Sequence, residues 1–256
     1  MPHRKEEFIN DEIYHIVTRG IGDTEIFKNV DDYYRGIFSI YEFNNSNPVS
    51  IYRRRKERTL FKKNFAEFVE LTRTGLVQIK QGPSSNMLTE RDRRNRLVSC
   101  LAFVLMPNHL HLLLKQLVDN GIIKFMSKLG TGFGGYFNRK YDRKGYVFQN
   151  RFKDVHIKDE EQLKTAFVYI HTNPISLLEP GWKEKGINDV EKAMKFLEDY
   201  RWSSYPDYIG KKNFPSVADR EFLLKVVGGS EGCREFARGW LNYKGEIGEF
   251  PELYLE

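Results

Sequence analysis

Cysteine is scarce in this chain: 256 residues carry only Cys100 and Cys233. The two lie far apart with no metal-type spacing, which excludes a disulfide framework and a thiolate zinc site and reads as reduced thiols of a cytoplasmic protein. Long apolar runs are missing too. Nothing approaches the roughly 18 consecutive apolar residues of a membrane span, so no membrane partner is expected. The start, MPHRKEEFINDEIYHIV, lacks the apolar stretch of about 7 residues that a secretory signal requires. No internal repeat or low-complexity tract interrupts the sequence.

What is there is a globular composition, 40% apolar, 30% charged and 14% aromatic, with a net charge of +6. That length suits one large domain or a domain with a sizeable insertion. The charge is concentrated. Residues 51–96 hold 13 Lys and Arg against five acids, a net +8, so the remainder nets −2. A second basic cluster, NRKYDRKGYVFQNRFK (138–153), has aromatics interleaved. Phosphate-tracking grooves use this mixture, cations for the backbone and rings for unpaired bases, although a solvated basic face has the same composition.

The periodicities outline an α+β order. EIYHIVTRG (12–20) alternates as a strand, and DDYYRGIFSIYEF (31–43) has helical spacing that NNSNP (44–48) stops. Within 44–95, FKKNFAEFVELTRTG (61–75) reads as a helix and QGPSSN (81–86) as a loop. RLVSCLAFVLM from residue 96 is an apolar strand, Pro107-Asn108 turns the chain, and HLHLLLK makes the partner of a hairpin. Residues 119–142 form a helix with small residues inside it, 146–157 a strand, and 159–174 an acid-started helix that Pro174 ends. A helical pattern over 188–199, the motif YRWSSYPDYIG (200–210) and further short elements follow. Strand–helix–insertion–strand–strand–helix–strand–helix predicts a ferredoxin-like antiparallel sheet with helices on one face, a basic insertion at about 44–95 and a helical C-terminal extension. The expected division is a domain over 1–180 and the extension over 181–256.

Chemistry is concentrated in MPNHLHLLLK (106–115). On a strand, residues two apart share a face, so His109 and His111 project together and Leu110 points the other way. Two adjacent imidazoles can share one divalent metal, and the same pair can also serve simple polar packing. Tyr169 and Asn173, at i and i+4, share a helix face. A carboxamide oxygen can complete a hard-cation site, and a tyrosine hydroxyl gains as a nucleophile from a metal that polarises the phosphate. Tyr169 could equally pack in a core, with Asn173 capping the helix end.

Four blocks, YHIVTRG with IF shortly after (14–27), VLMPNHLHLLL (104–114), GYVFQNRFK (145–153) and YIHTNP (169–174), occur in one order, and YRWSSYPDYIG follows. Together they resemble the HUH-type (His–hydrophobe–His) tyrosine transposases that act on single-stranded DNA, within them most closely the branch associated with repeated extragenic palindromes. The resemblance implies that His109, His111 and Asn173 hold Mg²⁺ or Mn²⁺ and that Tyr169 is the nucleophile. It would cleave single-stranded hairpin DNA through a 5′-phosphotyrosine, and a 3′-hydroxyl would later rejoin the strand. Arg19, Arg139, Lys140, Arg143, Lys144, Arg151 and Lys153 are the expected DNA contacts. Relatives of this type include homodimers that exchange the nucleophile helix. The chain departs from the pattern at Tyr146, where a histidine is common, and at Ile175–Leu178, where an arginine is expected after Asn173-Pro174.

Two other classes fit the same residues: a non-catalytic binder of hairpin DNA, and a metal-dependent nuclease that uses water. Tyr136 and Tyr141 are rival nucleophiles. His171 stands two residues from Tyr169, which turns it to another face of the helix.

Overall fold

The computed structural model describes residues 7–50, 52, 56, 59, 94–149 and 151–244. The chain divides into two compact units, Met1–Asn44 with Arg96–Glu256, and Asn45–Asn95. In the smaller unit the two ends meet, with Ser46 N donating to Asn95 O at 2.7 Å. The helix expected over 61–75 and the loop over 81–86 lie outside the described residues.

The larger unit runs β1 (Ile13–Arg19), α1 (Val30–Phe43), β2 (Val98–Met106), β3 (His109–Gln116), α2 (Gly121–Lys140), β4 (Lys153–Ile157) and α3 (Glu160–Thr172). Six further helices follow among the described residues: α4 (Ile175–Leu178), α5 (Trp182–Lys185), α6 (Val190–Asp199), α7 (Tyr205–Tyr208), α8 (Glu221–Val227) and α9 (Gly229–Lys244). The sheet order is β2-β3-β1-β4 with every neighbouring pair antiparallel. This is the βαββαβ arrangement of a ferredoxin-like sheet.

Local chemistry starts the helices where they start. Asn29 caps α1 in a reciprocal box with Asp32, and Asp159 caps α3 by accepting from Gln162 N at 2.7 Å. Asn44, at the end of α1, is buried. Its amide accepts from Leu97 N and Val98 N and donates to Val98 O, which ties the helix to the start of β2.

Strand alternation sorts the core into two layers. Leu110, Leu112 and Leu114 of β3 pack with Phe125, Phe133 and Phe137 of α2 and Ile37 and Ile40 of α1. Val104, Leu113 and Ile157, on the opposite face, pack with Phe167 and Ile170 of α3 and with Leu197, Tyr208 and Leu241 of the C-terminal helices. The helices of the ferredoxin-like repeat therefore lie on one face, as expected, and α3 with the extension adds a layer that encloses the other.

One expected strand is shorter than its pattern. Residues 146–157 read as one strand, but β4 pairs with β1 only from Lys153. Beyond Arg19 the chain leaves the ladder at Gly20 for a single helical turn, Ile21–Asp23, and contact falls to an isolated Gly20–Phe148 bridge.

Candidate active site

The histidine face of the sheet is set by register. Val17 stands opposite His111 and Arg19 opposite His109, so β1 residues 13, 15, 17 and 19 share the histidine face. Lys153 of β4 pairs with Val17 and joins the same face. The α3 layer closes over it. The Tyr169 ring meets those of His111 and His15 edge-on at centroid distances of 5.7 and 5.8 Å, and Asn173 Nδ2 lies 3.2 Å from His111 Nε2. The His109 and His111 rings are 4.9 Å apart.

All five side chains are buried, from 0% exposure at His15 and His111 to 8% at His109. Burial is the main cause that lowers the His111 pKa well below 6.5, with the charges of His15, His109, Lys183 and Arg19 adding in the same direction. The ring is therefore neutral at pH 7 and has a nitrogen lone pair to offer. His109 Nδ1 sits 2.6 Å from the Asn108 side-chain oxygen, an acceptor, which favours the tautomer with the proton on Nδ1 and the lone pair on Nε2.

The donors suit a hard divalent cation in spacing. Two adjacent ligands about 2.1 Å from an octahedral Mg²⁺ are about 3 Å apart. Rotating the Asn173 amide places its oxygen where the nitrogen now stands, at that separation from His111 Nε2. Among the described residues, no group of three or more His, Cys, Asp or Glu is arranged to hold a metal ion. A site here would depend on the amide.

Of the expected DNA contacts, Arg19 and Lys153 share the histidine face, and Arg19 also pairs with Asp23 at 3.1 Å. Arg139 and Lys140 end α2, in the other layer, and Arg143 and Lys144 follow in the loop. Lys140 is committed to the fully buried Asp32 at 2.7 Å, and its pKa is raised because that pairing outweighs the cost of burial. Arg143 stacks over Phe137 at 5.5 Å, and Arg151 is exposed. Tyr136 and Tyr141 both donate to Asp32, which places them away from the histidines. His171 faces away from Tyr169, with Nε2 2.7 Å from Ser204 Oγ.

Two residues of the site have no part in the sequence reading. His15 is fully buried, with Nε2 3.0 Å from His111 Nδ1. Lys183 of α5 covers Tyr169, its Nζ 3.4 Å from the hydroxyl and 4.8 Å from the ring centroid. His15 shares strand parity with Arg19, a signal visible in YHIVTRG, but its pairing with His111 depends on the β1–β3 register. Lys183 had no local signal.

No family model matches the chain, and no curated protein matches it. Among solved structures it is similar to a REP-associated tyrosine transposase bound to a REP hairpin, at 12% identity over 86% of this chain and 96% of that one. The TM-score is 0.42.

Proposed function

We propose that this protein cleaves and rejoins single-stranded hairpin DNA through Tyr169. The observation that supports this reading is that the Tyr169 ring packs edge-on against His111, which lies beside His109 and 3.2 Å from the Asn173 amide, all of them buried. The Tyr169 oxygen would attack the scissile phosphorus, forming a P–O bond as the bond to the 3′ oxygen breaks. The phenol gives up a proton and the departing 3′ oxygen takes one up. The 5′-phosphotyrosine conserves the bond energy, so a later 3′-hydroxyl can reverse the step and rejoin DNA without ATP. His109 Nε2, His111 Nε2 and Asn173 Oδ1 would hold Mg²⁺ or Mn²⁺, which when bound supplies Lewis-acid polarisation of the phosphate. Lys183 keeps a cation at the tyrosine oxygen, where it can orient the hydroxyl and offset phosphate charge. Arg19 and Lys153, which share this face, would contact the DNA backbone.

The test is a cleavage assay on labelled hairpin DNAs with Mg²⁺ or Mn²⁺, run on denaturing gels beside Tyr169→Phe. Wild type is expected to give a protease-sensitive, slow-migrating adduct, and the Phe variant none. Cleavage that persists in the variant without an adduct would make water the nucleophile. Binding with no cleavage by either protein would leave a DNA-binding protein on this scaffold.

A further inference from the structure

The reaction above makes no use of the third imidazole. His15 has 0% exposure, its ring stacks on that of His111 with centroids 5.2 Å apart, and its Nε2 lies 3.0 Å from His111 Nδ1. Between two neutral rings one proton occupies that hydrogen bond, and two arrangements are open. In the first, His111 carries its proton on Nδ1 and donates it to His15 Nε2, which leaves His111 Nε2 as a bare lone pair. In the second, His15 donates, and the His111 proton sits on Nε2, where it blocks ligation.

One contact to His111 favours the first arrangement, and the neighbouring histidine follows the same pattern. Asn173 Nδ2 faces His111 Nε2 at 3.2 Å, where an amide N–H needs an acceptor, and the amide would turn its oxygen inward only with a cation in place. His109, the neighbouring candidate ligand, is held in the same sense, its Nδ1 against the Asn108 side-chain oxygen at 2.6 Å. Each ring would then have Nδ1 fixed by an acceptor and Nε2 turned to the site, the pattern by which outer partners orient metal-binding histidines. In either arrangement His15 Nδ1 is a buried nitrogen with no hydrogen-bond partner among the described residues. That orphan lowers stability. A leucine would fill the same space without it, so packing alone does not account for a histidine.

We infer that His15 is a positioning residue that holds His111 in the Nδ1–H tautomer and leaves Nε2 free to bind a divalent cation. The inference rests on the metal site of the proposed function. Its test uses the full chain with ¹⁵N-labelled histidine, read by long-range ¹H–¹⁵N correlation for the tautomer and by Mn²⁺ titration for affinity. Wild type should show His111 unprotonated at Nε2. His15→Leu should mix the two tautomers and weaken Mn²⁺ binding by roughly 10- to 100-fold. His15→Gln, whose amide oxygen can accept from Nδ1–H, should recover most of the affinity. A purely structural role predicts instead that both variants lose affinity in step with their melting temperatures. A wild-type His111 protonated at Nε2 overturns the inference, and so does unchanged Mn²⁺ affinity in His15→Leu. A wild type in the expected tautomer that takes up no Mn²⁺ overturns the metal reading instead, and leaves the tautomer assignment standing without that purpose.

Discussion

His171 and His111 lie on adjacent elements, and their surroundings give them different work. His171 faces the C-terminal extension, where Ser204 Oγ meets its Nε2 and also accepts from Phe103 N at 3.0 Å. Burial holds its pKa down at about 3 from 6.5. For a base depressed in the folded state, the unfolded chain binds the proton first. The stability His171 contributes is therefore fully present above about pH 6.5 and declines as pH falls towards about 3. Between pH 7 and pH 5 that loss is about 2 kcal/mol. Urea unfolding at both pH values should show His171→Gln losing less stability than wild type by about this amount. Equal losses would mean that His171 does not resist protonation in the fold. The residue types of the candidate site were legible in HLH and YIHTNP because strand and helix periods are local. The pairing of His15 with His111 was not, because register between β1 and β3 is decided by burial of whole faces.

At the scale of elements, α2 shows why small residues sit inside a helix. A Cβ at Gly132 would overlap the Phe43 ring at the end of α1, whereas a Cβ at Gly130 would meet nothing within 4 Å. Helix propensity favours alanine over glycine by about 1 kcal/mol at either site. Gly130→Ala should therefore stabilise the protein by about 0.5–1 kcal/mol. In Gly132→Ala, overpacking of about 1–3 kcal/mol should win and destabilise it. Thermal or urea melts of the two variants separate the effects, and stabilisation by both would show that α1 and α2 do not approach closely at Phe43. The glycine run was readable as a helix with small residues, but which glycine meets a neighbour is a fact of packing. β4 teaches the same lesson. The alternation over 146–157 is genuine, yet only the stretch opposite β1 becomes strand, since a ladder ends where its partner turns away.

At the scale of the molecule, the extension does more than follow the sheet. β2 is an edge strand, and residues 200–219 cover its exposed side: Leu105 N donates to Trp202 O, Ser204 N to Phe103 O, Tyr208 Oη to Leu101 O and Asp219 N to Cys100 O. Bonded in this way, the edge is not left as a template for another chain. The basic segment is a separate matter, argued from charge. Residues 51–96 hold a net +8 in a chain of net +6. If they contact phosphates, deleting 49–93 should weaken hairpin-DNA binding and flatten the dependence of log K on log salt. An unchanged slope would rule the segment out as a DNA-binding arm.

The sequence alone determined the α+β order, the hairpin at Pro107-Asn108, the shared face of His109 and His111, and the i, i+4 pairing of Tyr169 with Asn173. Each follows from a period of 2 or 3.6 residues acting over a few positions. Only the tertiary structure decided that α3 lies on the histidine side of the sheet, that His15 and Lys183 complete the site, and that Lys140 belongs to Asp32 instead. Those pairings join residues far apart in the chain, and what selects them is the burial of two opposite faces of one sheet at once.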